Sequence, residues 1–259
     1  MPQLSPTEIT ATALKALHML DLTSLNLSDT EATIAALVAA SDTPFGAPAA
    51  LCIYPHLIPA AKAALASAGR SLPIATVTNF PSGDARPDQA ARETAEALAL
   101  GADEVDVVLP YRALLAGDVQ RARELLVQCR AVSQGRCLKV ILESGELREP
   151  KLIRQASEIA IEAGADFIKT STGKVPVNAT LEAAAIMLET IRDAGRVVGF
   201  KAAGGVGSVQ DAADYLALAD RFMGAAWATP ATFRFGASSL LATLLTALGQ
   251  HTVVQPSTY

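Results

Sequence analysis

The sequence predicts an α/β protein, a closed (β/α)8 or TIM barrel with an extra N-terminal helical segment. Three observations carry that reading. Short apolar runs recur along the 259 residues, alanine-rich amphipathic stretches lie between them, and charges sit inside several of the runs. A brief run rich in Val and Ile is what a parallel strand covered on both faces looks like. The length also suits one barrel, which typically takes about 250 residues.

Residues 6–41 read as the helical segment. Six runs then follow in order: LCIYP from Leu51, IATVTNF from Ile74, EVDVVLP from Glu104, CLKVILES from Cys137, FIKTST from Phe167 and VVGFKAAGG from Val197. Between them, stretches such as DQAARETAEALALGAD and PKLIRQASEIAIEAGAD place apolar residues at helical spacing, with a glycine where each helix should stop. Their ends nearly repeat, as LGADEVDVV and AGADFIKTS, which is a weak internal βα repeat. RFMGA from Arg221 and FRFGASS from Phe233 supply the last two strands, and the apolar helix SLLATLLTALG follows the second. A doubly wound open sheet is the alternative, disfavoured because no G-x-G-x-x-G follows an early strand. The chain reads as a single barrel domain over residues 1–259, with residues 250–259 as a mobile tail.

Composition excludes several classes of function. The chain is 51% hydrophobic, 5% aromatic and 18% charged, as expected of a folded globular protein. Its net charge of −5, with no basic stripe, argues against a nucleic-acid partner. No apolar stretch approaches the ~20 residues of a membrane span, and the first residues lack the basic-then-apolar pattern of a secretory leader. A cytoplasmic location and no membrane partner are therefore expected. Cys52, Cys129 and Cys137 form no C-x-x-C pair, and His18, His56 and His251 are isolated, so neither metal nor cofactor is expected.

The charges inside the runs point to chemistry. Asp106, Lys139, Lys169 and Lys201 fall in four consecutive runs that ought to be apolar. Any one could be an ordinary salt-bridged residue, but four together point to the C-terminal strand ends where barrel active sites form. Alternation puts Phe167, Lys169 and Ser171 on one face, and Val197, Gly199 and Lys201 on one face of the next strand. Two ammonium groups ~5 Å apart repel by roughly 3 kcal/mol at an effective dielectric of ~20, or about two pKa units. One lysine is then expected to fall from ~10.4 toward 7–8, where its neutral amine can attack a carbonyl. Asp106, two strands before Lys169, faces it in the same layer, and Lys139 between them completes a proton relay.

An anion site is also legible. AAGGVGS offers backbone N–H groups at Gly204 and Gly205, while FGASSLL brings Gly236, Ser238 and Ser239 to a helix start. Taken singly, these could be tight-turn glycines and plain N-cap serines. Cys52, near a strand end, is either a reactive thiol at the barrel mouth or a buried inert one.

Long ordered blocks carry a resemblance: MLDLTSL at Met19, LCIYP at Leu51, IATVTNFPSG at Ile74, GADEVDVVLPYRALLAGD at Gly101, LKVILESGEL at Leu138, GADFIKTSTGK at Gly164, VGFKAAGGV at Val198 and RFGASSLL at Arg234, with a final Tyr259. Together they resemble the deoxyribose-phosphate aldolases in their longer bacterial form. The resemblance implies a class I aldolase of deoxyribonucleoside catabolism, free of metal and cofactor. Such an enzyme reversibly cleaves 2-deoxy-D-ribose 5-phosphate to D-glyceraldehyde 3-phosphate and acetaldehyde through a lysine Schiff base. It further implies Lys169 as the Schiff-base lysine, Lys201 as its neighbour, Asp106 as the proton-handling carboxylate and Lys139 as the partner of Asp106. Asp21 and Thr23 fall near the substrate hydroxyls, and Thr172, Lys174, Gly204, Gly205, Gly236, Ser238 and Ser239 form the phosphate-binding set. Tyr259 helps exchange the proton at the acetaldehyde carbon.

The partners so implied are a sugar phosphate and small aldehydes, with a homodimer left open. Ala202 and Gly207 stand where enterobacterial members have proline and arginine, and Ala47 and Pro48 where they have asparagine and threonine. Loss of the arginine predicts weaker discrimination in favour of phosphorylated substrates. Two rival functions share parts of this pattern: a sugar-phosphate isomerase or epimerase using lysine electrostatically, and a non-catalytic sensor needing only the anion site.

Overall fold

The structure is a computed structural model and describes residues 4–250. Helix α1 (Pro6–His18) leads into β1 (Leu20–Ser24), α2 (Glu31–Ala40) and β2 (Ala50–Ile53). After the short 3-10 turn Pro55–Leu57 come α3 (Ile58–Ser67), β3 (Ile74–Thr78), α4 (Pro87–Ala99), β4 (Glu104–Val108), α5 (Tyr111–Leu115) and α6 (Val119–Val132). Next are β5 (Cys137–Ile141), α7 (Ser144–Leu147), α8 (Pro150–Glu162), β6 (Phe167–Lys169), α9 (Leu181–Asp193) and β7 (Gly199–Ala203). The chain closes with α10 (Val209–Met223), β8 (Phe233–Ala237) and α11 (Leu240–Ala247). All neighbouring strands are parallel, and β8 pairs with β1, so the sheet is a closed barrel in sequence order.

Two expectations are corrected here. The segment 6–41 is not wholly helical, because Leu20–Ser24 forms the first strand between α1 and α2. RFMGA is not a strand: Arg221 to Met223 complete the last turn of α10, and Gly224 ends it with φ 92°. The capping box of Ser208 and Asp211 starts that helix, and its periodicity runs unbroken through Phe222. The runs from Leu51 to Val197 therefore hold β2 to β7, and FRFGASS holds β8.

The repeated Gly-Ala-Asp has a structural cause. Gly101 and Gly164 adopt left-handed conformations just beyond α4 and α8. The aspartate that follows then reaches back to the start of the preceding strand. Asp103 Oδ2 accepts from the Ile74 N–H at 3.0 Å, and Asp166 Oδ2 accepts from the Leu138 N–H at 2.8 Å.

Outward-facing Leu51, Ile53, Val105, Val107, Leu138, Val140, Ile168 and Phe200 are buried in one large apolar core with the helices. Inside the barrel, the β2 and β3 side is lined by small apolar groups, Ala50, Cys52, Ala75 and Val77. The remaining strands fill the interior with charge. Among the described residues, no helix is long and apolar enough to cross a membrane.

Candidate active site

Strand alternation aims Asp21 on β1, Glu104 and Asp106 on β4, Lys139 on β5, Lys169 on β6, Lys201 on β7 and Arg234 on β8 into the barrel, where all are buried. Register sets Asp106 beside Lys139 and Lys169 beside Lys201, with Lys139 opposite Phe167, two residues before Lys169. Asp106 is the hub. Its Oδ1 accepts from Lys139 Nζ at 2.9 Å, while its Oδ2 accepts from both Lys169 Nζ at 2.9 Å and Lys201 Nζ at 2.8 Å. Lys201 also donates to Asp21 Oδ2 at 2.5 Å, and Lys139 lies 2.5 Å from Glu104 Oε2. Arg234 closes the ring against Asp21 and Glu104.

This geometry changes the electrostatic expectation. Lys169 and Lys201 do converge, but on a shared carboxylate and not across empty space. Burial alone would raise Asp106, yet Lys139, Lys169 and Lys201 together hold it well below the usual carboxylate range. Asp21 is likewise opposed by burial and held low by Lys201, Lys139 and Arg234. Burial would lower Lys201 and Lys139, but the carboxylates around them push both above the ordinary lysine value. Lys201 is therefore held as an ammonium.

Above this cluster opens a cavity of about 260 Å³. Of Lys139, Lys169 and Lys201, Lys169 is the one that lines it. Thr23, Thr172 and Lys174 form one part of the wall; Gly204, Gly205, Gly236, Ser238 and Ser239 form another. Gly204 and Gly205 both have left-handed backbones, φ 78° and 82°, a succession that side chains resist. Gly236 serves packing too, since a Cβ there would stand 2.9 Å from Lys201 Cε. Ser239 sits at the N-cap of α11 without making a side-chain capping bond, so it is not a plain N-cap. Thr172 has both donors engaged, its N–H to Glu143 Oε1 at 3.1 Å and its hydroxyl to Glu143 Oε2 at 2.6 Å.

The other expected positions separate clearly. Asp21, Asp106, Lys139 and Lys201 lie beneath the cavity floor. Cys52 is on β2, the second strand and not the first, and is fully buried with Ala50 and Ala75. Burial raises its thiol despite the opposing pull of Lys201, so the mouth-exposed reactive thiol gives way to a shielded, protonated one. Tyr259 and all of the proposed tail but Gln250 lie outside the described residues. Ala202 faces the helix layer, and Ala47 and Pro48 precede β2 at the opposite barrel end, so none reaches the cavity. Gly207 is exposed beside the cavity-lining Val206. Among the described residues, no three His, Cys, Asp or Glu side chains are grouped to hold a metal ion.

Sequence reasoning did not single out Glu104, Arg234 or Glu143. The first two carried a usable signal, because Glu104 is two residues from Asp106 and Arg234 two from Gly236, hence on the same strand faces.

A closed barrel with amine and carboxylate groups under a cavity at its C-terminal strand ends has the architecture of a barrel enzyme. Comparison with known proteins narrows this. The DeoC/LacD family aldolase pattern matches residues 15–246, and the chain belongs to that family of aldolases. A provisionally named deoxyribose-phosphate aldolase of Toxoplasma gondii ME49 has a similar structure, with a TM-score of 0.85 and 25% identity over 96% of this chain and 100% of that one. QR15, described as an aldolase, gives a TM-score of 0.76 and 26% identity, covering 93% and 99% of the two chains. The deoxyribose phosphate aldolase of Aeropyrum pernix, described as tetrameric, shares the fold at a TM-score of 0.73 and 24% identity, covering 94% and 98%.

Proposed function

We propose that this aldolase reversibly cleaves 2-deoxy-D-ribose 5-phosphate to D-glyceraldehyde 3-phosphate and acetaldehyde, through a Schiff base on Lys169 and without metal. Its role would be in deoxyribonucleoside catabolism. The observation that carries the reading is the position of Lys169, touching Asp106 below and opening on the cavity above.

In the cleavage direction, the neutral amine of Lys169 adds to the C1 aldehyde of the open-chain sugar. The carbinolamine loses water and becomes an iminium. The C3 hydroxyl then gives up its proton, the C2–C3 bond breaks, and its electron pair passes into the iminium to form an enamine. Glyceraldehyde 3-phosphate leaves. Protonation of the enamine at C2, followed by addition of water, releases acetaldehyde and restores the amine. Ionised Asp106 and protonated Lys201, 2.8 Å apart, supply the base and acid that these transfers need. Lys139 holds Asp106 in place, Thr23 on the cavity wall is within reach of substrate hydroxyls, and Asp21 acts from beneath the floor through Lys201. Tyr259 keeps the proton-exchange role implied by resemblance.

At the far side of the cavity, Lys174, Ser238, Ser239 and the Gly204–Gly205 backbone suit a phosphate. The test is incubation with 2-deoxy-D-ribose 5-phosphate in the presence and absence of a chelator. Equal yields of acetaldehyde and glyceraldehyde 3-phosphate, unaffected by the chelator, are expected. A failure to cleave, or chelator-sensitive cleavage, rejects the proposal.

A further inference from the structure

Glu143 follows β5 and is absent from the lysine–carboxylate cluster. It is 0% exposed, and none of the ion pairs among the described residues includes it. A buried carboxylate in that position is costly unless hydrogen bonds hold it. Its backbone is left-handed as well, φ 57° and ψ 54°, a conformation that persists in an L residue only where contacts fix it.

Its side-chain hydrogen bonds run to the loop after β6. Both carboxylate oxygens of Glu143 accept from Thr172, and Thr172 Oγ1 in turn accepts from the Lys174 N–H at 3.0 Å. The next residue, Ser144, donates its N–H to Thr170 O at 2.9 Å. Gly145 packs so closely on the loop that a Cβ there would lie 1.8 Å from the Val177 carbonyl oxygen. The β5–α7 turn thus fastens the Thr170–Val177 loop at three consecutive residues. Burial raises the Glu143 carboxyl, and its bonds from Thr172 oppose that rise.

We propose that Glu143 is a positioning residue which, by clamping Thr172, sets Lys174 against the Gly204–Gly205 loop and fixes the grip on a substrate's phosphoryl group relative to Lys169. This rests on reading that end of the cavity as the phosphate end. Two variants separate the role from simple stability. E143Q keeps the side-chain size but presents an NH₂ group where a carboxylate oxygen accepted the Thr172 hydroxyl. E143G removes the clamp while relieving the left-handed backbone.

The probe is inorganic phosphate, titrated calorimetrically into the full chain, alongside the rate at which borohydride traps acetaldehyde on Lys169. Both variants are expected to weaken phosphate binding about tenfold. Trapping, which needs no phosphate, should stay within about twofold of wild type. Unchanged phosphate affinity in both variants overturns the proposal, as does a parallel loss of affinity and trapping. If the wild-type protein binds no phosphate, the phosphate reading fails together with the clamp. If wild type binds phosphate and both variants keep that affinity, the clamp alone fails.

Discussion

At the scale of the residue, the site is organised by one carboxylate shared among three lysines. Asp106 touches Lys139, Lys169 and Lys201; Asp21 further contacts Lys201 and Arg234, and Glu104 contacts Lys139 and Arg234. Asp106→Asn keeps the shape but leaves the lysines facing a neutral amide. Removing one member of a buried charged group costs ~3–5 kcal/mol. In a chain of this length that corresponds to a fall in Tm of roughly 10 °C. Activity should fall at least ~10²-fold, since the proton relay goes with the charge. A variant of wild-type Tm, measured by thermal unfolding, contradicts the hub. Lys169, Lys201, Asp106 and Lys139 were legible in the sequence because a charge within an apolar run stands out. Glu104 and Arg234 were less so, lying at or near the starts of their runs. Glu143 gave no periodic signal at all, because its partner, Thr172, lies 29 residues further along the chain.

At the scale of the element, strands were legible where both faces are apolar or where a charge interrupts an apolar run. β1 was not, because LDLTS alternates apolar residues with Asp21 and Thr23 and is flanked by helices α1 and α2. RFM looked like a strand only when detached from the fifteen-residue helix that contains it. The β7–α10 junction offers an element-scale test of the missing arginine. Gly207 has no atom within 4 Å of a built Cβ, and its N–H donates to Asp211 Oδ2 at 3.0 Å at the start of α10. Gly207→Arg therefore adds a cation next to the cavity, on a Cβ that meets no neighbour. It should raise the ratio of kcat/KM for deoxyribose 5-phosphate over deoxyribose by ~10-fold, the worth of about 1.4 kcal/mol. An unchanged ratio in paired kinetic assays contradicts a phosphate at that end.

At the scale of the whole molecule, the buried charge cluster ties barrel stability to pH. Asp21 and Asp106 are depressed, so their contribution is present above the unfolded carboxylate value of about 4 and is lost as pH falls through their folded values. Lys139 and Lys201 are raised, so their contribution is complete below about 10.4 and is lost as pH rises through their folded values. Glu143 runs the other way: raised, it stabilises below about 4.3 and loses that contribution as pH climbs through its folded value. The cluster thus predicts a broad plateau of Tm between about pH 5 and pH 10, with Asp106→Asn losing the share of the acid edge that Asp106 supplies. A wild-type Tm that falls steadily from pH 8 to pH 5 contradicts this. The central claim, that Lys169 is the nucleophile of a barrel built to hold its neighbours charged, is met most directly by trapping. The protein is incubated with acetaldehyde, reduced with borohydride, digested, and its peptides weighed. The account predicts a two-carbon adduct on Lys169 and none on Lys139 or Lys201; an adduct on Lys201 instead, or on no lysine, contradicts it.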